Sequence, residues 1–246
     1  VAVYAYIAYG GSISFTGTDN LGGETGDLQA IQPHFFTCVP RLLEKVYDKI
    51  YQKASHLTGI KRRLFFWAMQ LTEKWSFQYE PKGLEALQWR IAQKLIFSKW
   101  RTALGGQVKG IVTGASACPL HIMRVFNAAG IPVREGYGMT EAAPALSFSR
   151  FEPGGAMLGT VGQPIEGVEI RIEPGEAYSP GEGEIWAKSP GVMEGYYKQP
   201  DRTAEMIRWL NGERWLATGD VGTLVETVHG KQFLRITDRQ KELLKT

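Results

Sequence analysis

Between Val108 and Val133 the chain passes through four segments in close succession. An apolar run, Val108 to Val112, leads into a turn of small residues, Thr113-Gly114-Ala115-Ser116-Ala117. A helix follows from about Pro119 to Gly130, and Ile131-Pro132-Val133 then opens a second apolar run. Strand, helix and strand in so short a span form a βαβ crossover, which joins parallel strands. Pro132 suits a strand start or an edge. The α/β class of this part follows, and with it a location for function, because parallel sheets take ligands beyond the carboxyl ends of their strands. Two stretches fall there. One is the small-residue turn, either tight helix–strand packing or a wall kept low for a ligand. The other is Arg134-Glu135-Gly136-Tyr137-Gly138-Met139-Thr140-Glu141.

That second stretch sets two glycines, an aromatic, a hydroxyl and two carboxylates side by side. Gly136 and Gly138 allow backbone geometry and ligand approach that a Cβ obstructs. Tyr137 offers a flat apolar face to a planar ring such as a purine. Thr140 can hydrogen-bond phosphate oxygens, and Glu141 can reach Mg²⁺, which takes one or two carboxylates beside substrate phosphates. The plainer reading is a strand-to-helix turn whose glycines serve only positive φ and whose Glu caps a helix. The eight residues alone leave both open.

Around this centre, residues 1–150 read as an α/β subdomain that carries the candidate nucleotide site. Ser12 to Phe15 alternates like a strand and ends in the polar loop Thr18-Asp19-Asn20-Leu21-Gly22-Gly23. Phe35 to Val39 is a strand stopped by Pro40, and a helix runs from Arg41 to about Leu57. A helical insertion occupies about 58–101, with one apolar stripe through Leu64, Trp67, Ala68, Leu71 and Trp75. A second stripe runs through Leu84, Leu87, Ile91 and Leu95. The aromatics of the insertion are expected to serve as core and lid packing rather than as a cofactor box. The flanking cations read as a solvated face, with contact to an anionic membrane surface as a secondary role.

After Ser149 short strands and Gly/Pro turns replace helices. Residues 151–236 read as a small antiparallel β-barrel-like subdomain, with strands at Val168 to Ile172 and Gly183 to Ala187 and a short helix at Arg202 to Leu210. Thr218-Gly219-Asp220 within it sets a carboxylate where a ribose diol could donate to it, although such turns are common. The densely charged segment from Arg235 to Thr246 reads either as a solvated helix start or as a linker supplying Arg239 to a ribose or phosphate.

Composition narrows the function classes. The net charge of +3 over 246 residues, without a dense basic run, argues against nucleic acid. Cys38 and Cys118 are the only cysteines and lack metal-ligand spacing, which suggests a reducing, cytoplasmic setting. The apolar opening Val1 to Tyr9 is too short to span a bilayer and has no signal-peptide pattern. The chain also lacks an initiator Met, so a piece of a longer polypeptide is expected.

Tyr137-Gly138-Met139-Thr140-Glu141, Thr218-Gly219-Asp220 and Asp238-Arg239-Gln240-Lys241-Glu242-Leu243 stand in the order and spacing of one family. The chain resembles the adenylate-forming superfamily of acyl-CoA synthetases, luciferases and adenylation domains. Gly159 to Pro164 and Gly195-Tyr196-Tyr197 also look like that family. Pro40 to Tyr47, Asn127 to Val133 and Thr237 to Thr246 are most similar to long-chain fatty acid–CoA ligases. The resemblance implies a fragment of the large N-terminal domain, with residues 237–246 as the hinge to a C-terminal domain outside this chain. It implies ATP-dependent activation of a fatty acid to acyl-AMP and pyrophosphate, then thioester formation with CoA as co-substrate.

By the family pattern Tyr137 lies on adenine, Thr140 contacts phosphate, Glu141 ligates Mg²⁺ and Asp220 holds the ribose with Arg239 nearby. Glu135, Gly136 and Gly138 belong to the same nucleotide-binding stretch. Gly114 and Ala115 border the acyl and adenine pockets, and Lys241 takes the hinge position. The family's phosphate loop has no accepted match, since Pro81-Lys82-Gly83 lacks its setting, and the adenylation lysine would follow Thr246. The isolated chain is therefore expected to be inactive or nearly so. Two rival readings remain: adenylation of an aryl, short-chain or amino acid, and a nucleotide- or lipid-binding module without turnover. Acyl chain length and oligomeric state are not written in these motifs.

Overall fold

The computed structural model describes residues 2–17 and 26–239. The chain divides into two compact units, Val1–Arg134 and Glu135–Thr246. The first is mostly helical. It begins with α1 (Ala2–Ala8) and α2 (Asp27–Ile31), followed by β1 (Phe35–Cys38) and α3 (Pro40–Ser55). Ser12 to Phe15, expected as a strand, carries no regular structure. Alternation supplies a strand's pattern but not the neighbouring strand its backbone groups need. The loop from Thr18 to Gly23 lies outside the described residues.

Helices α4 (Gly59–Glu73), α5 (Gly83–Ala92) and α6 (Ser98–Ala103) form the expected insertion, with a π turn at Gln93–Phe97 between the last two. The first predicted stripe is buried or half-buried, as in Ala68 and Leu71. The second is not: Leu84, Leu87, Ile91 and Leu95 face solvent, and the buried side of the segment runs instead through Trp89, Ala92 and Phe97. Aromatic bulk outweighed the leucine spacing, because the indole and phenyl rings remove more apolar surface from water.

Strand β2 (Gly110–Thr113) pairs in parallel with β1, Phe35 opposite Gly110 and Cys38 opposite Thr113. Helix α7 (Leu120–Ala128) buries Ile122, Met123, Val125 and Phe126 on one face, each worth about 2 kcal/mol of apolar burial. A polar latch closes its C-terminal end. Arg101 donates to the Gln93 side chain and to the Ala129 carbonyl, both at 2.6 Å, and Gln93 Nε2 donates to the Ala128 carbonyl at 2.6 Å. These donors satisfy carbonyls that a helix C-terminus leaves without partners. Asn127 Oδ1 accepts the Val133 N–H at 3.1 Å and an Arg134 N–H at 2.7 Å, and Ile111 N–H reaches the Pro132 carbonyl at 2.8 Å. The strand–helix–strand crossover is thus fastened at the entry to its second strand.

That strand, β3 (Val133–Gly138), runs further than its sequence pattern suggested and carries the Gly-Tyr-Gly stretch inside it. It pairs antiparallel with β4 (Ala145–Phe148), and β4 pairs with β5 (Gln163–Pro164). The change of sequence character expected after 149 therefore falls within the second unit. Beyond it come β6 (Glu169–Glu173), β7 (Gly183–Lys188), α8 (Pro200–Met206), β8 (Ile207–Leu210), β9 (Glu213–Glu226) and β10 (Gln232–Arg239). Their antiparallel order is β10-β9-β7-β6, with β8 also on β9, an open sheet rather than a closed barrel among the described residues.

The helix expected over Arg202 to Leu210 is split. α8 stops at Met206, and Ile207–Leu210 forms a hairpin with Glu213–Leu216. Asn211 and Gly212, at φ 51° and 80°, make its turn. That Asn-Gly pair is a strong hairpin signal, and it overrode a helical spacing. The core of the unit includes Leu146, Ala187 and Leu216, with a second cluster of Val161, Ile185 and Leu234. Tyr137 packs against both.

Candidate functional site

The second unit brings Tyr137 and Asp220 together. Tyr137 stands on β3 opposite Ser147, and its hydroxyl donates to Asp220 Oδ2 at 2.8 Å across 83 positions of sequence. The half-buried ring and the 9% exposed carboxylate share one place. A carboxylate is the kind of acceptor to which the two hydroxyls of a ribose can donate.

Asp220 reaches that place through a bulge. Glu184 pairs with Val221 and Trp186 with Ala217, so Ile185 alone faces Thr218, Gly219 and Asp220. Gly219 sits at φ 72°, a left-handed conformation that suits glycine. Side chains hold the bulge: Thr218 Oγ1 donates to the Ile185 carbonyl at 2.8 Å, and Gly219 N–H donates to Glu184 Oε1 at 3.0 Å. Glu184 Oε2 also accepts the Trp186 indole N–H at 2.9 Å. Sequence reading assigned Glu184 and the Thr218 hydroxyl no role, because both act through partners on another strand.

Arg239 joins the group by register. A second irregularity, between Ile236 and Asp238, lets Arg239 pair with Asp220 across β9 and β10. The predicted charged segment is thus strand as far as Arg239. Lys241 and the rest of the hinge lie outside the described residues.

Glu141 lies in a one-turn 3-10 helix, Thr140–Ala142, after β3. Its Oε1 accepts the Tyr196 hydroxyl at 2.7 Å, and its carbonyl accepts the Met193 N–H at 2.8 Å. Tyr196 is steadied in turn, its N–H on Thr203 Oγ1 at 2.9 Å and its ring 4.4 Å from the Arg202 guanidinium. Burial and the adjoining Glu141 carboxylate raise the phenol's pKa above its ordinary value of 10.0, which keeps it a donor. Tyr196 is a positioning residue that Gly195-Tyr196-Tyr197 pointed to only as a family string. A single half-buried carboxylate held on one oxygen fits Mg²⁺, which leaves most of its coordination to water and phosphate. Among the described residues there is no cluster of three or more metal-ligating side chains. Thr140 beside it is exposed.

The glycines of the stretch lie close against their own chain. Neither Gly136 nor Gly138 has positive φ. A Cβ on Gly138 would lie 1.6 Å from the Pro144 carbonyl oxygen, and one on Gly136 would lie 3.2 Å from the Phe148 ring. Glu135 is buried, and its carbonyl accepts the Ser149 N–H at 2.8 Å. In the first unit, Gly114 and Ala115 follow β2 in the small-residue turn, with Ala115 at φ 70°. A non-glycine residue held there is strained, a feature frequent at ligand sites. Cys38, opposite Thr113, is a half-buried thiol whose pKa is pushed up to about 12 by desolvation, which disfavours the reactive thiolate.

A family model described as AMP-binding enzyme matches residues 1–197. The chain belongs to the AMP-binding enzyme family. Among curated relatives, Long-chain-fatty-acid–CoA ligase 6 of Rattus norvegicus is 37% identical over 224 residues, 89% of this chain and 30% of that protein. Long chain acyl-CoA synthetase 3 of Arabidopsis thaliana is 36% identical over 233 residues, 89% of this chain and 32% of that protein. This chain thus spans about a third of the length of the curated relatives it matches. Solved structures share the fold. O-succinylbenzoate Coenzyme A Synthetase from Bacillus subtilis, in complex with AMP, aligns at TM-score 0.56 and 22% identity, covering 98% of this chain and 38% of its own. A long-chain-fatty-acid-CoA ligase from Archaeoglobus fulgidus aligns at TM-score 0.53 and 18% identity, covering 87% and 35%.

Proposed function

We propose that this chain supplies the adenosine-binding part of a long-chain fatty acid–CoA ligase. The observation that carries the reading is the Tyr137–Asp220 contact at 2.8 Å, which sets a flat ring beside a carboxylate suited to a ribose diol. Membership of the AMP-binding family and relatives named as long-chain-fatty-acid–CoA ligases support it.

In the first half-reaction a fatty acid carboxylate attacks the α-phosphorus of ATP, the bond to the β-phosphate oxygen breaks and pyrophosphate leaves. In the second, the CoA sulfur attacks the acyl carbon and AMP leaves with the bonding pair. Both steps gain from fixed geometry, since orientation removes much of the entropic barrier of a bimolecular step. Tyr137 holds the base in one plane, Asp220 anchors the sugar with Arg239 nearby, and Thr140 meets the phosphates. Glu141 would hold Mg²⁺, which supplies neutralisation of phosphate charge when bound. Tyr196 keeps that carboxylate aimed.

The test is ATP–pyrophosphate exchange by the native polypeptide that carries this chain, offered long-chain, short-chain, aryl and amino acids in turn. Exchange driven by long-chain acids supports the reading, and exchange driven by another class replaces the substrate. Asp220→Ala raises the ATP KM about ten-fold or more, corresponding to at least ~1.5 kcal/mol for a charge-assisted hydrogen bond. An unchanged KM contradicts the ribose role.

A further inference from the structure

The helical segment of the first unit turns an apolar stripe toward water. Leu84, Leu87, Ile91 and Leu95, along α5 and the π turn that continues it, are 73%, 52%, 39% and 45% exposed. Their spacing places them on one side, while Trp89, Ala92 and Phe97 anchor the other side in the core. The segment is therefore already held by its buried face, and the stripe is surplus to that packing.

The charges interleaved with the stripe say what suits it. Arg90, Lys94 and Lys99 are all exposed. Between Lys82 and Lys99 the single acidic residue is Glu85, half-buried and 3.6 Å from Lys74. A protein interior would have to pair each cation to cover this face. An anionic bilayer surface satisfies both chemistries together. Leucine side chains enter the boundary between headgroups and acyl chains while long cationic side chains stay at phosphate level. We infer that this face docks on an anionic lipid surface. The helix lies along that surface; no helix of the described residues is long and apolar enough to cross a membrane. The inference stands apart from the ligase reading, because none of these side chains takes part in the nucleotide site.

The test is vesicle co-sedimentation of the native polypeptide. It compares phosphatidylcholine vesicles with vesicles containing phosphatidylserine, at low and high salt. The expected result is binding to the anionic vesicles that weakens as salt rises. Arg90→Gln, Lys94→Gln and Lys99→Gln together lower partitioning about a hundred-fold, since each cation near the surface is worth ~1 kcal/mol, or about five-fold. Leu87→Ser with Ile91→Ser lowers it as well, with thermal stability in lipid-free buffer unchanged. Equal binding by wild type and both variants overturns the inference. So does strong amide-exchange protection of residues 84–95 without lipid, joined to a loss of stability in the serine variant. That result would show that protein, not lipid, covers the stripe.

Discussion

Tyr137 contributes a ring and a hydroxyl, and the two are separable. The hydroxyl bonds Asp220, so Tyr137→Phe is expected to cost about 1 kcal/mol of stability, measured by chemical denaturation. The ring remains, and nucleotide affinity should largely persist. Tyr137→Ala removes the stacking face as well and should weaken AMP binding by ~1–3 kcal/mol in calorimetry, the usual range for a base on an aromatic ring. Tyr196 gives a second residue-scale expectation, in pH. Its folded pKa lies above the ordinary 10.0, so its neutral form is favoured in the folded state. The stability it adds is present below pH 10 and is lost as pH rises through the higher folded value. Tyr196→Phe should flatten that alkaline loss in pH-dependent thermal melts; an unchanged profile would place the effect elsewhere. The family resemblance implied that Tyr137 and Asp220 share one site, but not that they bond each other directly. Tyr196 stood only within a family string, and its bond to Glu141 was not legible, since both acceptors lie far off in sequence and only the fold brings them near.

At the scale of elements, what local spacing controls was readable and what pairing controls was not. The crossover from β2 through α7 follows from apolar runs, a small-residue turn and a helix of the right length. The same reasoning stopped β3 too early, since pairing with β4, not composition, carries the strand through Gly138. It extended α8 too far, where the Asn211–Gly212 turn folds Ile207–Leu210 back as a strand. It marked Leu84, Leu87, Ile91 and Leu95 as one face of the insertion, but periodicity does not say what covers a face, and these four are exposed. The β3–β4 contact yields a prediction. Gly138→Ala places a methyl 1.6 Å from the Pro144 carbonyl oxygen, a backbone atom that can move only with the strand. A loss of about 3 kcal/mol or more is expected in equilibrium unfolding, at the upper end of overpacking costs. A loss below 1 kcal/mol would mean that the two strands separate freely there.

For the whole molecule, family membership was legible because three short strings keep their order over a hundred residues, whereas any one of them is weak. The geometry adds how the strings meet in the second unit. A bulge in β9 presents Asp220, a second irregularity in β10 sets Arg239 opposite it, and β3 delivers Tyr137. Adenosine is expected to occupy that meeting point. The direct measurement is a crystal structure of the native polypeptide with a non-hydrolysable acyl-AMP analogue. The predicted result is adenine against the Tyr137 ring with the ribose hydroxyls on Asp220. A ligand bound elsewhere, with Tyr137 and Asp220 joined only to each other, would contradict it.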